Sequence, residues 1–179
     1  MNKNTLGIGS TLPTFQNIRG VDGKKYAQTD FTNQILIIVF SCNHCPYVQA
    51  YEDRMMQLQR DYRQKDVQLV AINSNDERNY PDDSFEKMVE RAEKQAFNFP
   101  YLRDQEQKVA ESFGATHTPQ FFLFNGKRTL RYSGNRDDNW KEPDLVKERY
   151  LRDAIDALLL GNEIKIQETF SIGCTIKWK

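Results

Sequence analysis

Cys42 and Cys45 stand two residues apart in VFSCNHCPYV, with His44 between them, directly after the apolar run Ile35 to Phe40. A C-x-x-C pair can hold a metal, close as a static disulfide, or exchange electrons. A metal site needs more ligands than the pair supplies. Structural zinc takes four; beyond the pair the chain offers His44, His117, Cys174 and carboxylates, with no second pair at zinc spacing. A static disulfide across so short a loop closes almost no chain entropy and stabilises little. Electron exchange is the chemistry this spacing serves best.

Position decides how such sulfurs behave. Tyr47, Tyr51, Met55, Leu58 and Tyr62 recur at steps of three and four, which predicts a helix from Pro46 to about Arg63. Proline suits a first helical turn and marks its start. Cys42 then falls at or just before the helix N-terminus, and Cys45 in the first turn. A thiolate there feels the partial positive charge of unpaired N–H groups. A free thiol with pKa ~8.5 is brought to roughly 3.5–7.5 by a helix N-terminus or a cationic neighbour. His44 is the second contributor, because an imidazolium beside a sulfur anion favours the ionised form. The first cysteine of such a pair is expected to be the more exposed, so Cys42 is read as nucleophile and Cys45 as resolving thiol.

The elements that must position the pair follow from periodicity and turn residues. Ile35 to Phe40 and Val67 to Asn73 read as strands buried on both faces. Residues 6 to 31 read as irregular chain plus a hairpin turning at Gly20 to Gly23. Asn75 to Asp82 is a polar loop. Asp83, with Glu86 three residues on, predicts a helix start, and Phe85, Met88, Val89 and Ala92 its apolar face. Phe99 to Leu102 is extended, and Gln105 to Phe113 is a helix closed by Gly114. Pro119 precedes a strand, FFLF; Asn125-Gly126 turns it, and Thr129 to Tyr132 returns. Leu145 to Leu160 reads as a long helix with Leu145, Tyr150, Leu151, Ala154, Ile155 and Leu158 facing in. Alternating strands and helices imply a partly parallel sheet with helices on its faces. No Pro/Ser/Gly-rich linker interrupts the chain, so 1–179 reads as one domain, with its core at about 30–160 and a tail at 162–179.

The bulk composition excludes several classes. The chain has 179 residues, 25 basic and 25 acidic, with no basic stripe, which argues against nucleic-acid binding. Its opening has no apolar run of signal-peptide length, and its longest apolar run, ILIIVF, is far below the ~20 residues of a membrane helix. The expectation is a cytoplasmic chain with no membrane partner. No Gly-rich phosphate loop points to an organic cofactor, and none is expected.

Together these segments resemble the thioredoxin-fold superfamily, and most closely its peroxiredoxin-like branch, the alkyl hydroperoxide reductase/thiol-specific antioxidant group. GSTLPTF…DGKKYAQTDF resembles that group's entry segment, ILIIVFSCNHCPYV its strand-to-active-site-helix step, and GATHTPQFFLFNGKRTLRYSG its cis-proline loop and closing hairpin. CNHCPYV, AINSND…YPDDSFEKM, FPYLRDQEQKVA, TPQFFLF and GCTIKWK together are similar to a "thioredoxin family protein" subgroup. The resemblance implies a thioredoxin-like three-layer α/β/α sandwich with a central mixed sheet, an N-terminal hairpin and an insertion at 73–100 before the cis-proline region. It implies Cys42 and Cys45 as the redox pair and a cis Pro119 packed against them, with Thr118 in the substrate-facing loop.

Three departures matter. Ser41 stands where thioredoxins place Trp. ILIIVF carries no proton-relaying carboxylate, so Cys45 needs another base or water. Val39 and Ile35 occupy the positions of the peroxiredoxin Thr and Pro, which removes the hydroxyl that would help bind peroxide. The expected function is thiol–disulfide exchange with a protein or small-molecule disulfide, fed by a thioredoxin- or glutathione-type thiol reductant. One alternative is a thiol peroxidase with antioxidant activity, in which Cys42 becomes a sulfenic acid and Cys45 or Cys174 resolves it. Another is a copper module using Cys42, Cys45 and a histidine. Cys174 is either a half-buried tail residue or a third redox thiol if the tail folds back. His117 reads as a surface-loop residue that could gate pH dependence. Residues 135–144 read as a solvated loop in which Trp140 could dock a partner.

Overall fold

The computed structural model describes residues 5–179; positions 1–4 of the expected domain lie outside them. In chain order, β1 (Ile18–Gly20) and β2 (Lys25–Tyr26) form the opening hairpin, turned at Gly23, whose φ of +81° suits glycine. Strand β3 (Ile35–Ser41) leads into α1 (Pro46–Tyr62), and β4 (Val67–Asn73) into a loop and α2 (Phe85–Gln95). Then come β5 (Tyr101–Arg103), α3 (Lys108–Phe113), β6 (His117–Thr118), β7 (Gln120–Phe124), β8 (Leu130–Gly134), α4 (Tyr150–Leu159) and β9 (Cys174–Thr175).

Seven strands form one mixed sheet in the order β2-β1-β5-β4-β3-β7-β8. β3, β4 and β5 run parallel, and β7 pairs antiparallel with β3 and β8. Every residue of β3 is buried, which explains why its sequence is continuously apolar rather than alternating. Ile35, Ile37 and Val39 face α1, α2 and α4 through Val48, Met55, Met88, Leu151 and Ile155. Leu36, Ile38 and Phe40 face α3 and the N-terminal segment through Phe113, Val109, Leu12 and Phe15. The result is a helix–sheet–helix sandwich with two apolar cores. The site lies at the C-terminal end of β3, where the strand stops and α1 begins.

Several elements differ from the sequence reading. Helix α2 is capped by Ser84, whose Oγ accepts from the Lys87 N–H at 3.3 Å. Asp83 is turned inward and fully buried instead of capping. Helix α3 starts only at Lys108, because Gln107 takes a left-handed conformation with φ +60°. Helix α4 starts at Tyr150, and Leu145 sits in a separate 3-10 turn, 58% exposed. The 135–144 segment is not a solvated loop at its start: Asn135, Arg136 and Asp137 are buried. Asp137 accepts from the Tyr51 hydroxyl at 2.8 Å, from Arg54 at 2.9 Å, and from Arg136. Charged residues were used there to fasten the loop to α1, so their hydrophilicity misread as exposure. Trp140 packs on Tyr47 with ring centroids 4.3 Å apart.

Candidate active site at three cysteines

Pro46 is the first residue of α1 and Cys45 its N-cap, so the helix terminus lies at Cys45, and Cys42 stands three residues earlier. Both sulfur residues are enclosed: Cys42 is 2% exposed and Cys45 0%. The expected contrast in exposure within the pair is absent. The Thr118–Pro119 peptide bond is cis. It brings Thr118 against both thiols, with its Oγ1 3.5 Å from Cys42 Sγ and its carbonyl oxygen accepting from Cys45 Sγ at 3.3 Å.

The tail completes the site. β9 pairs antiparallel with β6, setting Thr118 opposite Cys174 and His117 opposite Thr175. Gly173 lies flat on the Thr118–Pro119 link. Further along, Ile176 N–H donates to the Thr116 carbonyl at 2.9 Å, Lys177 N–H to Asn75 Oδ1 at 2.9 Å, and Asp76 N–H to the Lys177 carbonyl at 2.7 Å. This register packs Cys174 against the cluster that holds Cys42 and Cys45. Cys174 is the least buried of the three.

The charges distribute unevenly. Cys45 is pulled down to about 4 by the Cys42 thiol, and next by the Cys174 thiol and the backbone N–H groups of Val48 and Cys174. Its sulfur makes no full cap hydrogen bond, but the first-turn N–H of Val48 still faces it. Burial and the Thr118 carbonyl, an acceptor that favours the protonated thiol, oppose that lowering. Cys42 moves the other way, well above its ordinary value. It donates to Cys45, it is desolvated, and it sits near the Asp83 charge; only the Thr118 hydroxyl pulls it down. The helix-terminus effect expected at Cys42 therefore acts on Cys45, because the helix begins one residue after the second cysteine. The two thiols titrate as a unit that keeps one proton between its sulfurs.

Asp83 is the residue that sequence reasoning misplaced. Its Oδ1 accepts from the Asn43 N–H at 2.6 Å and Asn73 Nδ2 at 3.1 Å, and its Oδ2 from Asn75 Nδ2 at 2.8 Å. His44 Nδ1 lies 2.6 Å from Oδ2, close but without hydrogen-bond alignment, and the imidazole stacks on Tyr80. Ligand atoms of Cys42, His44 and Asp83 fall within 4.8 Å of one another. That set mixes one soft sulfur with a hard carboxylate whose oxygens are already engaged, so it is a hydrogen-bond hub more than a Cu(I) site. The asparagines in NSND, at the end of a buried strand, were the available signal for it. His117 Nδ1 bonds the neighbouring Thr116 hydroxyl at 2.8 Å, and its backbone, not its ring, serves the tail pairing. A large cleft of about 1070 Å³ beside Phe15, Arg19, Phe85 and Arg103 contains none of the cysteines. A hollow of about 310 Å³ lined by Asn43, His44, Gln49 and Arg91 adjoins the motif instead.

Residues 8–133 match the AhpC/TSA family. The chain belongs to that family. As an AhpC/TSA member with this thiol site, it is an oxidoreductase enzyme. Its fold is similar to that of an uncharacterized conserved protein from Geobacillus kaustophilus, with a TM-score of 0.92 at 38% identity over 98% of this chain and 94% of that one. The thiol-disulfide oxidoreductase ResA of Geobacillus thermodenitrificans is 26% identical over 127 residues, 70% of this chain and 68% of that protein. The thioredoxin domain of a thiol-disulfide oxidoreductase from Bacteroides vulgatus shares the fold, with a TM-score of 0.60 at 14% identity over 70% of this chain and 86% of that one. The AhpC/TSA chain thus has a thioredoxin-like fold. Among the described residues, no helix is long and apolar enough to cross a membrane.

Proposed function

We propose that this AhpC/TSA member is a thiol–disulfide oxidoreductase working through a Cys42–Cys45 dithiol/disulfide couple. The observation that carries the reading is the convergence of two enclosed thiols on one residue of the cis-proline loop, Thr118, whose hydroxyl lies 3.5 Å from Cys42 Sγ and whose carbonyl accepts from Cys45 Sγ at 3.3 Å. Cys42 attacks one sulfur of a protein or small-molecule disulfide. As it does so, its proton passes to the neighbouring Cys45 thiolate. A Cys42–substrate disulfide forms and the substrate's S–S bond breaks, releasing one substrate thiolate. The released substrate thiolate takes that proton from Cys45, which attacks Cys42 Sγ; the Cys42–Cys45 disulfide forms and the second substrate thiolate leaves. Two electrons pass from the dithiol to the substrate, and a thioredoxin- or glutathione-type thiol returns them. The released substrate thiolate thus serves as the base for Cys45 that the active-site strand lacks. The Thr118 hydroxyl steadies Cys42 as it becomes anionic, and His44, when protonated, offsets the Asp83 charge that opposes it. The reading takes the chain as cytoplasmic, where thiol reductants are at hand.

The family match and the Thr118 hydroxyl beside Cys42 favour one second reading, a thiol peroxidase. There Cys42 takes one oxygen from a peroxide, releasing an alcohol or water, and Cys45 condenses with the sulfenic acid, releasing water. Steady-state reduction of a model protein disulfide and of hydrogen peroxide, with the same thiol reductant, separates the two. Disulfide turnover that is lost in both Cys42→Ser and Cys45→Ser, with a Cys42-linked mixed disulfide accumulating in Cys45→Ser, is the expected result. Turnover of peroxide alone would replace the first reading with the second.

A further inference from the structure

The resting position of the tail raises a problem that Cys174 solves. In the oxidised protein the Cys42–Cys45 bond would lie between side chains that are 2% and 0% exposed, which leaves a reducing thiol only a narrow approach at Cys42. Cys174 is the least buried sulfur of the three and packs against the cluster that holds Cys42 and Cys45. It is held there by construction. Strand β9 lies along the edge of β6, whose Thr118 directly precedes the cis proline. Glycine at 173 is required for that approach, since a β-carbon there would stand 2.2 Å from the Thr118 carbonyl oxygen. The pairing continues through Ile176 and Lys177, which bond Thr116, Asn75 and Asp76. An extended strand adding to an exposed edge is how folded domains commonly take up a peptide. Here the chain's own tail fills the edge beside the sulfurs and presents a cysteine to them.

We propose that the tail is a built-in substrate strand and that Cys174 relays the disulfide from the enclosed pair to the surface. Resting on the dithiol reading above, the step runs as follows. The Cys174 thiolate attacks Cys45 Sγ of the Cys42–Cys45 disulfide. The Cys45–Cys174 bond forms, the Cys42–Cys45 bond breaks, and Cys42 leaves as a thiolate beside the Thr118 hydroxyl. The proton lost by Cys174 is regained by Cys42, so no oxidant, reductant or net proton is consumed. An external thiol then attacks Cys174, and Cys45 leaves; a second thiol clears Cys174 and yields the external disulfide. Cys45 suits that departure, because a thiol lowered to about 4 is a good leaving group. Cys174 is pushed up to about 11 in the reduced protein by burial and by donating to the Cys45 thiolate. The second of these causes vanishes once Cys45 is in a disulfide, which eases the ionisation of Cys174 while burial still opposes it.

The test is a disulfide map of the full chain under oxidised glutathione, with acid quench, alkylation and non-reducing peptide analysis. Cys42→Ser is expected to close an intramolecular Cys45–Cys174 disulfide. Wild type is expected to show Cys42–Cys45 and Cys45–Cys174 together, within about tenfold of each other in population, and Cys174→Ser to keep a Cys42–Cys45 couple that thiols reduce more slowly. The relay is overturned if Cys42→Ser yields only glutathione adducts or dimers and wild type shows Cys42–Cys45 alone. In that case a reversible couple in Cys174→Ser leaves the dithiol reading standing. If neither wild type nor Cys174→Ser forms Cys42–Cys45, the dithiol reading fails and takes the relay with it.

Discussion

Gly173 lies against Thr118 so closely that a β-carbon on it would stand 2.2 Å from the Thr118 carbonyl oxygen and 2.8 Å from its carbonyl carbon. Those atoms are backbone, held by the strand pairing, and cannot swing aside. Gly173→Ala should therefore lift the tail off the β6 edge at a cost of about 1–3 kcal/mol. Cys45 would lose the Cys174 thiol and N–H that help hold it at about 4. Thiolate absorbance against pH should show its titration moving up toward the ordinary thiol range, and Cys174 should alkylate faster. An unchanged titration would mean that the tail does not set the sulfur chemistry.

Asp83 raises Cys42 through its charge, behind the larger effects of the Cys45 contact and burial. Asp83→Asn removes that charge while keeping the shape. The higher of the pair's two titration steps should move down, read as the pH dependence of alkylation in a Cys174→Ser background. Stability should fall by about 1–3 kcal/mol, because an amide cannot accept every hydrogen bond that Asn43, Asn73 and Asn75 donate to the carboxylate. A higher step that stays in place would show that the Asp83 charge is offset at the sulfur.

The reduced protein should gain stability with pH through Cys45. Its folded pKa of about 4 lies below its ordinary 9.0, so between those values the unfolded chain binds more protons. Its contribution is present above pH 9 and lost as pH falls toward 4. Cys174, pushed up to about 11, acts oppositely and lowers stability as pH rises from 9.0 to 11. Urea unfolding under reducing conditions should show the gap between wild type and Cys45→Ala widening from pH 5 to 8.5, by at most about 1.4 kcal/mol per pH unit. A constant gap would contradict the lowered value.

Asp137 fastens the loop after β8 to the active-site helix. Asp137→Ala leaves the enclosed guanidinium groups of Arg54 and Arg136 without their carboxylate, and should cost about 3–5 kcal/mol in denaturant unfolding. Tyr51→Phe removes one hydrogen bond to the same carboxylate and should cost about 1 kcal/mol. Equal, small losses would place the loop in solvent after all.

What the sequence disclosed and what it hid divide along physical lines. ILIIVF, Pro46 after the motif, and Asn125-Gly126 act locally, so the central strand, the start of the active-site helix and the closing turn lie within a residue or so of where they read. Thr118 opposite Cys174 is a pairing across 56 positions, with Gly173 as its only local trace. Asp83 and Asp137 were hidden for another reason. A buried carboxylate is spelled like an exposed one, and only its partners distinguish the two: three asparagines for Asp83, and a tyrosine with two arginines for Asp137. The sequence reads Cys42 at or just before the N-terminus of α1 and so expects the thiolate there; the N-cap is Cys45, and the lowered value falls on it chiefly through the Cys42 thiol, with the Val48 N–H adding to it.

The account stands most directly on the reduction potential of the Cys42–Cys45 couple, measured in Cys174→Ser by equilibration against glutathione with alkylation readout. A reversible two-electron couple between about −120 and −270 mV is the predicted result, the range of proteins that exchange disulfides. Thiols that stay reduced across the glutathione range, or that oxidise only to glutathione adducts, would contradict it.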